Sequence, residues 1–167
     1  MDGQEVQVAA ASPSGRYPKG AHDLQLDDKS RLKLPASFHR YLTETLKDSL
    51  VFVTSLDERV ARIYPIREWE KTEDFFRQCQ EESERADRVW KLSQHYGVDA
   101  EVDSAGRLSL PARLREKLQL NAKGKVWLVP NRGFFELSSD QVYMEDLTVS
   151  KVSPREDLAA LRKLGMP

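Results

Sequence analysis

One stretch of this chain occurs twice, and the two copies begin 76 residues apart. Residues 27–42 read DDKSRLKLPASFHRYL, and residues 103–118 read DSAGRLSLPARLREKL. Seven of the sixteen aligned positions are identical: Asp27/Asp103, Arg31/Arg107, Leu32/Leu108, Leu34/Leu110, Pro35/Pro111, Ala36/Ala112 and Leu42/Leu118. A solenoid needs more than two copies, because each repeat buries its apolar face only against its neighbours. The duplication therefore predicts one module that is folded twice and packed against itself.

Length and composition narrow the class of protein. A chain of 167 residues is close to the size of one domain, so we expect the two halves to share a core. Hydrophobic residues make up 40% and charged residues 32%, as in soluble globular proteins. The single cysteine, Cys79, excludes an internal disulfide, and no apolar run approaches the ~20 residues that cross a bilayer. We therefore predict a cytoplasmic protein with no membrane partner.

The charge balance gives no general sign of a nucleic-acid partner. The 26 basic and 27 acidic residues leave a net charge of −1, whereas DNA-binding domains often carry a clear basic excess. A role in DNA binding would therefore depend on local charge and on the number of copies that act together.

The first copy has the pattern of two strands, a helix and two further strands. Leucines alternate with polar residues from His22 to Leu34 around the acidic pair at 27–28, which predicts two short strands joined by a tight connection. Pro35 suits the first turn of a helix, where its missing N–H costs no hydrogen bond. The helix is predicted to reach about Lys47. The two further strands are predicted at residues 50–54 and 60–64.

The second copy repeats this order. Strands are predicted at residues 98–102 and 106–110, and a helix is predicted from Pro111 to about Leu120. Residues 121–124 read NAKG and are expected to end that helix. Residues 126–129 align with residues 50–53 at the same interval of 76, so the duplication extends beyond the short motif.

Residues 68–97, between the copies, are predicted to form a helical connector. This stretch has no proline and no glycine before Gly97, and its apolar residues fall near helical spacing. The polar segment 80–87 favours two helices with a break between them, and Trp69 is expected to pack on the core. A shorter amphipathic helix is predicted at 156–164, and the sequence leaves open whether its leucines contact the same domain or a neighbouring one.

The second strand of each copy carries the candidate binding residues. A period of two sends its leucines to one face and Lys29, Arg31 and Lys33 to the other. Arg107 takes the place of Arg31 in the second copy. The planar guanidinium of arginine can contact guanine or clamp a phosphate, so Arg31 and Arg107 are candidates to meet a duplex. Lys29 and Lys33 are candidates for phosphate contacts, which set register without specifying sequence.

A purely structural role for the same arginines is the alternative. Asp27–Arg31 and Asp103–Arg107 could be ion pairs that stabilise turns, since aspartate accepts local backbone N–H groups there. If both arginines are consumed by these aspartates, a non-DNA oligomeric scaffold or adaptor with the same fold is favoured. If both lie on one exposed face free of acidic side chains, DNA binding is favoured.

The pattern D-x-x-x-R-L-x-L-P, present twice around a helical connector, closely resembles the MraZ family of bacterial transcriptional regulators. That family is related to the SpoVT/AbrB DNA-binding domain. The resemblance covers the chain from about Tyr17 to about Leu147. Other matching segments are Lys19-Gly20-Ala21, Leu26-Asp27, Tyr64-Pro65, Glu68-Trp69-Glu70 and Asp103-Ser104-Ala105-Gly106-Arg107.

The resemblance implies an α+β fold that is mainly β. Two swapped-hairpin, AbrB-like half-barrels would form one pseudo-twofold unit with a helical connector. Residues 1–16 are small and polar, which predicts a disordered leader. The division that follows is a first SpoVT/AbrB-like domain (17–67), the connector (68–97), a second SpoVT/AbrB-like domain (98–145) and a tail with a short amphipathic helix (146–167).

The resemblance also implies a function and a set of residues. The function is sequence-specific binding of double-stranded DNA by a nucleoid-associated repressor of the division and cell-wall gene cluster. A homo-oligomeric ring would bind direct repeats in the promoter. Arg31 and Arg107 would face the DNA, whereas Lys29 and Lys33 come from the strand-face argument alone. The motif residues with structural roles are Asp27, Asp103, Gly106, Pro35 and Pro111.

Two departures from the family pattern concern the equivalence of the copies. Glycine usually precedes the motif arginine, as Gly106 does, but the first copy has Ser30, so its turn is expected to differ in shape or to be strained. His39 also stands where the second copy has Arg115.

No phosphate-loop motif, metal-ligand spacing or nucleophile–base arrangement is present in the sequence, so no catalytic residue, metal or cofactor is predicted.

Overall fold

The computed structural model describes residues 16–167 and has an α+β fold. The leader predicted for 1–16 therefore lies, apart from Arg16, outside the described residues. The strands are β1 (His22–Gln25), β2 (Arg31–Lys33), β3 (Leu50–Thr54), β4 (Ala61–Pro65), β5 (Val98–Glu101), β6 (Arg107–Ser109), β7 (Lys125–Asn131) and β8 (Phe134–Ser139). The helices are α1 (Ala36–Arg40, continued by a π-helical turn at Tyr41–Leu46), α2 (Ile66–Gln78), α3 (Ser83–Tyr96), α4 (Ala112–Leu118), α5 (Asp140–Ser150) and α6 (Pro154–Lys163).

The strands form two antiparallel sheets that join the two copies. One sheet has six strands in the order β1-β7-β8-β4-β3-β5, and the other is a ribbon of β2 and β6. The first strand of each copy pairs with the third strand of the other copy, β1 with β7 and β5 with β3. The tight connection predicted between β1 and β2 is present, but these two strands do not pair with each other. Instead β1 pairs with β7, and β2 pairs with β6.

An approximate twofold axis relates the copies. In the β2–β6 ribbon Leu32 lies opposite Leu108, its own counterpart in the repeat. In the large sheet β4 and β8 pair in the same way, with Arg62 opposite Glu136. Pairing of equivalent residues places the axis between the strands, so the backbone register on one side of it is repeated on the other.

The interval between equivalent residues is not constant, and one alignment made from the sequence is wrong. His22 pairs with Leu128, and Val98, the counterpart of His22, pairs with Val53. Val53 and Leu128 are therefore equivalent, and they lie 75 residues apart instead of 76. The large sheet fixes this register because a slip of one residue would turn the buried face of each strand outward.

The helices account for the missing residue. With its π-helical turn, α1 continues to Leu46 and ends at Lys47, which has left-handed backbone. The shorter α4 ends at Leu118 with Gln119 left-handed, so the predicted end at residues 121–124 is wrong. Those residues instead form a turn in which the Gly124 N–H donates to the carbonyl of Asn121 at 2.8 Å. A longer helix and a shorter loop leave the first copy one residue longer.

The duplication also includes the helix that follows the fourth strand of each copy. Trp69 of α2 stacks on Phe52 of β3, with ring centroids 4.3 Å apart. Tyr143 of α5 stacks on Trp127 of β7, the position equivalent to Phe52, at 4.0 Å. The repeated unit is therefore strand–strand–helix–strand–strand–helix, and α5 was not predicted from the sequence.

The core is shared between the copies, as expected. The repeat leucines Leu32, Leu34, Leu108 and Leu110 are buried in one cluster with the apolar residues of the large sheet. A second cluster forms around Trp69, which is buried as predicted.

The connector consists of two helices, α2 and α3, with a break between Gln78 and Ser83, as predicted.

The expectation of a mainly β fold is wrong, because more of the described residues lie in helices than in strands. None of the helices in the described part of the chain is long and apolar enough to span a membrane. The domain boundaries and the swapped-hairpin half-barrels stay predictions.

Candidate nucleic-acid interface

The β2–β6 ribbon presents one buried face and one outward face. Leu32 and Leu108 are fully buried on the inner side. On the other side Arg31 lies opposite Ser109, and Lys33 lies opposite Arg107. Residues directly opposite in an antiparallel pair project from the same face, so these four side chains form one surface. The prediction that Arg31, Lys33 and Arg107 share the outer face is confirmed.

The aspartate of each copy shapes the turn that leads into the ribbon. One carboxylate oxygen of Asp27 accepts the backbone N–H groups of Lys29 and Arg31 at 2.9 and 2.8 Å. The other oxygen accepts Nε of Arg31 at 2.8 Å. The motif D-x-x-x-R is thus a local unit in which one carboxylate holds both the turn and the guanidinium.

The second copy has the same geometry. Asp103 accepts the N–H groups of Ala105 and Arg107 at 2.9 and 2.8 Å, and Nε of Arg107 at 3.1 Å. In both copies the N–H of the motif arginine, helped by its guanidinium, holds the pKa of the aspartate below its ordinary value, despite partial desolvation. Both carboxylates therefore stay ionised at neutral pH, and this contribution to stability is lost only as the pH falls through their lowered pKa values.

The turns have the same shape in spite of Ser30. Ser30 has a φ of 60° and Gly106 a φ of 81°. In each turn the N–H of this residue donates to the aspartate carbonyl, at 3.0 Å for Ser30 and 2.9 Å for Gly106. The difference in shape that the sequence left open is therefore absent, and the strain falls on Ser30. His39 lies against Gly106, where an added Cβ would be 3.2 Å from His39 Nδ1.

Exchanging the residue at these turns is expected to change stability in opposite directions. Ser30→Gly should raise the free energy of unfolding by about 0.5–1 kcal/mol, because relief of left-handed strain exceeds the added entropy of the unfolded chain. Gly106→Ala should lower it by about 1–2 kcal/mol, because the methyl group adds that strain and crowds His39. Urea denaturation of both variants measures the difference, and a stabilising Gly106→Ala would contradict this account.

The ion pairs are the feature that favours the scaffold alternative, but they engage only part of each guanidinium. Each pair uses Nε, at 2.8 Å for Arg31 and 3.1 Å for Arg107. A guanidinium carries five N–H donors, so four remain on the two terminal nitrogens. Both side chains are partly exposed, 28% for Arg31 and 41% for Arg107. The aspartates therefore orient the arginines without covering them.

The candidate lysines are in unequal positions. Lys33 is exposed on β2 and faces Arg107 directly. The alternation predicts Lys29 on the outer face of the strand, and this is wrong. The strand begins at Arg31, because the left-handed Ser30 interrupts the extended backbone before it. Lys29 instead lies exposed in the turn.

Pro35 and Pro111 lie one residue before the first helical turn in which the sequence predicts them. Each directly precedes its helix with extended backbone, and the Pro35 carbonyl accepts the N–H of His39 at 3.0 Å. Ser109 is the face residue that sequence reasoning did not select. The alternation of the second copy already places Ser109 on the outward face. Its position opposite Arg31 could not be predicted, because it depends on contact between the copies.

Comparison with known proteins decides the family. A family model described as "MraZ protein, putative antitoxin-like" matches residues 19–90. A protein of Acidobacterium capsulatum named "Transcriptional regulator MraZ" is 33% identical over 148 residues, which cover 89% of this chain and 99% of that relative. The chain belongs to the MraZ family. Relatives with the same name from Koribacter versatilis and a Marinomonas species are 34% identical over 108 residues and 33% identical over 105 residues.

These two matches cover 65% and 63% of the chain and 72% and 70% of the respective relatives. The MraZ relatives carry the name of a transcriptional regulator, so the family is one of regulators and not of enzymes. The similarity to the first relative extends through both copies and the connector.

Proposed function

We propose that this MraZ protein is a sequence-specific DNA-binding regulator that contacts duplex DNA through the outward face of the β2–β6 ribbon. The observation that carries the proposal is the composition of that face. Three of its four side chains are cationic (Arg31, Lys33 and Arg107), and the fourth is Ser109. A two-stranded ribbon fits the major groove of B-DNA. The inner leucines anchor the ribbon in the core, so it would approach the groove as a rigid element.

The side chains would divide the contacts according to their chemistry. Arg31 and Arg107 are held at Nε by their aspartates, so their terminal nitrogens are oriented toward guanine or a phosphate. Lys33 and Lys29 would contact phosphates. Like charges directly opposite on a ribbon are destabilising, and an anion between Lys33 and Arg107 would remove that repulsion.

A single chain offers little net positive charge at this site. Three carboxylates lie in the two turns, at Asp27, Asp28 and Asp103, beside four cationic side chains. High affinity would therefore come from several ribbons acting at once. We propose a homo-oligomeric ring on direct repeats of a promoter, acting in the cytoplasm at the nucleoid to repress the division and cell-wall gene cluster. The strand exchange between the copies supports the swapped-hairpin interpretation of the fold.

A non-DNA scaffold or adaptor is the second candidate, and the two ion pairs favour it. In that case the arginines would only stabilise their turns, and the outward face would have no anionic partner. Selection of binding sequences from random duplexes separates the candidates. Enrichment of one short repeated motif supports the DNA proposal, and no enrichment at low salt would overturn it.

Lys33→Ala is expected to weaken binding to all DNA sequences by a similar factor. The slope of the logarithm of the binding constant against the logarithm of salt concentration should become shallower by about 0.9 for each phosphate that the protein no longer neutralises. Fluorescence anisotropy at several salt concentrations measures this slope. Lys91→Ala, on the exposed side of α3, is the matched control and should keep the wild-type slope. A wild-type slope for Lys33→Ala would exclude its role in binding a phosphate.

A further inference from the structure

Helix α6 carries an apolar edge that nothing in the described part of the chain covers. Every residue from 154 to 167 is exposed. Leu158, Leu161 and the C-cap residue Leu164 follow one another at intervals of three, so they lie along one side of the helix and its end, and they are 37%, 50% and 84% exposed. An isolated helix of ten residues is marginal in water. A partner that covers the leucines would stabilise it.

In the first copy the helix at the corresponding place in the chain is packed on its neighbour. Helix α3 follows α2 as α6 follows α5, and α2 and α5 are equivalent. Trp90 of α3 lies against Trp69 and Phe76 of α2, with ring centroids 6.1 and 5.5 Å away. The second copy therefore has a helix in the corresponding place in the chain whose apolar side is still exposed.

A groove beside α2 has the complementary chemistry at one end. It has a volume of about 420 Å³ and is lined by aromatic rings, including Phe76 and Phe134. Its charged residues are three cations, Arg62, Lys71 and Arg132, and one carboxylate, Glu68, which pairs with Nζ of Lys71 at 2.8 Å, so the groove is cationic in balance. Arg62 lies 4.7 Å from the centre of the Phe134 ring, and its buried Nε has no acceptor among the described residues. Phe75, on the same groove, is 62% exposed.

A second groove continues along α2 with acidic residues on its wall. It has a volume of about 370 Å³, shares Phe76 with the first, and is lined by two carboxylates, Glu73 and Asp87, and one cation, Arg77. The charge along α2 thus changes from positive at the first groove toward negative at the second. Helix α6 has the opposite order, because two carboxylates, Glu156 and Asp157, outnumber Arg155 in its first turn, and basic residues lie in its last turn.

We propose that α6 of one copy docks along α2 of a second copy of this chain. Its acidic first turn would lie on the cationic groove, its leucines on Phe75 and Phe76, and Arg162 and Lys163 toward the acidic groove. A helix of ten residues is about 15 Å long. Helix and groove are different surfaces, so the contact is head-to-tail, which gives a ring when the rotation between copies closes. The inference rests on the proposed ring and names the surfaces that would build it.

Charge reversal on the full-length protein tests this contact. One variant reverses the helix (Glu156→Lys/Asp157→Lys), one reverses the groove (Lys71→Glu/Arg132→Glu), and one carries all four changes. Each two-site variant should raise the dissociation constant of assembly by roughly 10- to 100-fold, and the four-site variant should restore assembly. Light scattering after size-exclusion chromatography measures the mass over a range of concentrations. Arg40→Glu/Lys47→Glu is the control and should assemble as the wild type does.

The variant Leu158→Ser/Leu161→Ser/Leu164→Ser tests the apolar part. These residues are exposed, so the fold should survive, and we expect a shift to the mass of one chain. Wild-type assembly by this variant, or no restoration in the four-site variant, would overturn the inference. A wild-type mass of one chain at all concentrations, as for a helix that binds another protein, would also overturn it. If the protein binds DNA and the α6 variants assemble as the wild type does, only this inference is overturned. If the protein assembles through α6 and does not bind DNA, only the DNA proposal is overturned.

Discussion

The double variant Arg31→Ala/Arg107→Ala is expected to lose specific binding to the selected DNA while it keeps the wild-type fold and assembly. Each arginine that contacts a base edge contributes about 1–3 kcal/mol of discrimination. Each single variant should therefore weaken specific binding by roughly 10- to 100-fold. Several subunits would bind together, so the effects multiply in an oligomer.

The turns should survive these changes. In each copy the aspartate keeps its two backbone N–H groups when the arginine side chain is removed. Gel-shift or anisotropy titration measures binding, and circular dichroism with size-exclusion chromatography checks fold and assembly. Arg40→Ala, an exposed arginine outside the ribbon, is the control. Wild-type affinity for DNA in both single variants would overturn the assignment of the ribbon as the DNA-binding surface and would favour the function of a non-DNA scaffold.

Leu108→Ala is expected to lower the free energy of unfolding by about 2–5 kcal/mol, the range for a large side chain removed from a closed core. Leu108 is fully buried and faces its equivalent Leu32 across the approximate twofold axis. Both copies build the wall of this site, so the chain cannot close a cavity there by moving one loop. Leu32→Ala should have a similar effect.

The two leucines are also expected to be coupled. The destabilisation of the double variant should differ from the sum of the two single values, because the residues share one cavity. Urea denaturation followed by tryptophan fluorescence measures all three values. Val149→Ala, at a site that is 73% exposed, should change stability by less than about 0.5 kcal/mol. Single values below about 1 kcal/mol would mean that the ribbon is not anchored through this pair.

The residues of the repeat allowed the local structure to be predicted because they act over short distances. Alternation fixed which side chains of Arg31–Lys33 point inward. Proline placed the starts of α1 and α4, and the break in the connector followed from its polar middle. Helix α5 was missed because it lacks an amphipathic pattern, and it is held by the stacking of Tyr143 on Trp127.

The interval between the copies shows where sequence alignment alone is insufficient. The identical residues are 76 positions apart, whereas β3 and β7 are related by 75 and β4 and β8 by 74. No local pattern in the sequence marks where the interval changes. The register is decided by which faces of the strands are buried against each other. The longer first helix, with its π-helical turn, accounts for the change from 76 to 75, and the longer β3–β4 connection accounts for the change from 75 to 74.

The sequence by itself determined the duplication, the strands and helices of the motif, the residues that lie outward and the MraZ resemblance. The strands, the helices and the outward residues depend on neighbours within a few positions, and the duplication and the resemblance are similarities of sequence that need no structure to be seen. The tertiary structure decided that β2 pairs with β6, which brings Arg31, Lys33 and Arg107 onto one face from strands 76 residues apart. It also decided that each aspartate holds the guanidinium of its arginine through Nε alone. Pairing between distant strands depends on the burial of Leu32 against Leu108, which only the folded core brings about.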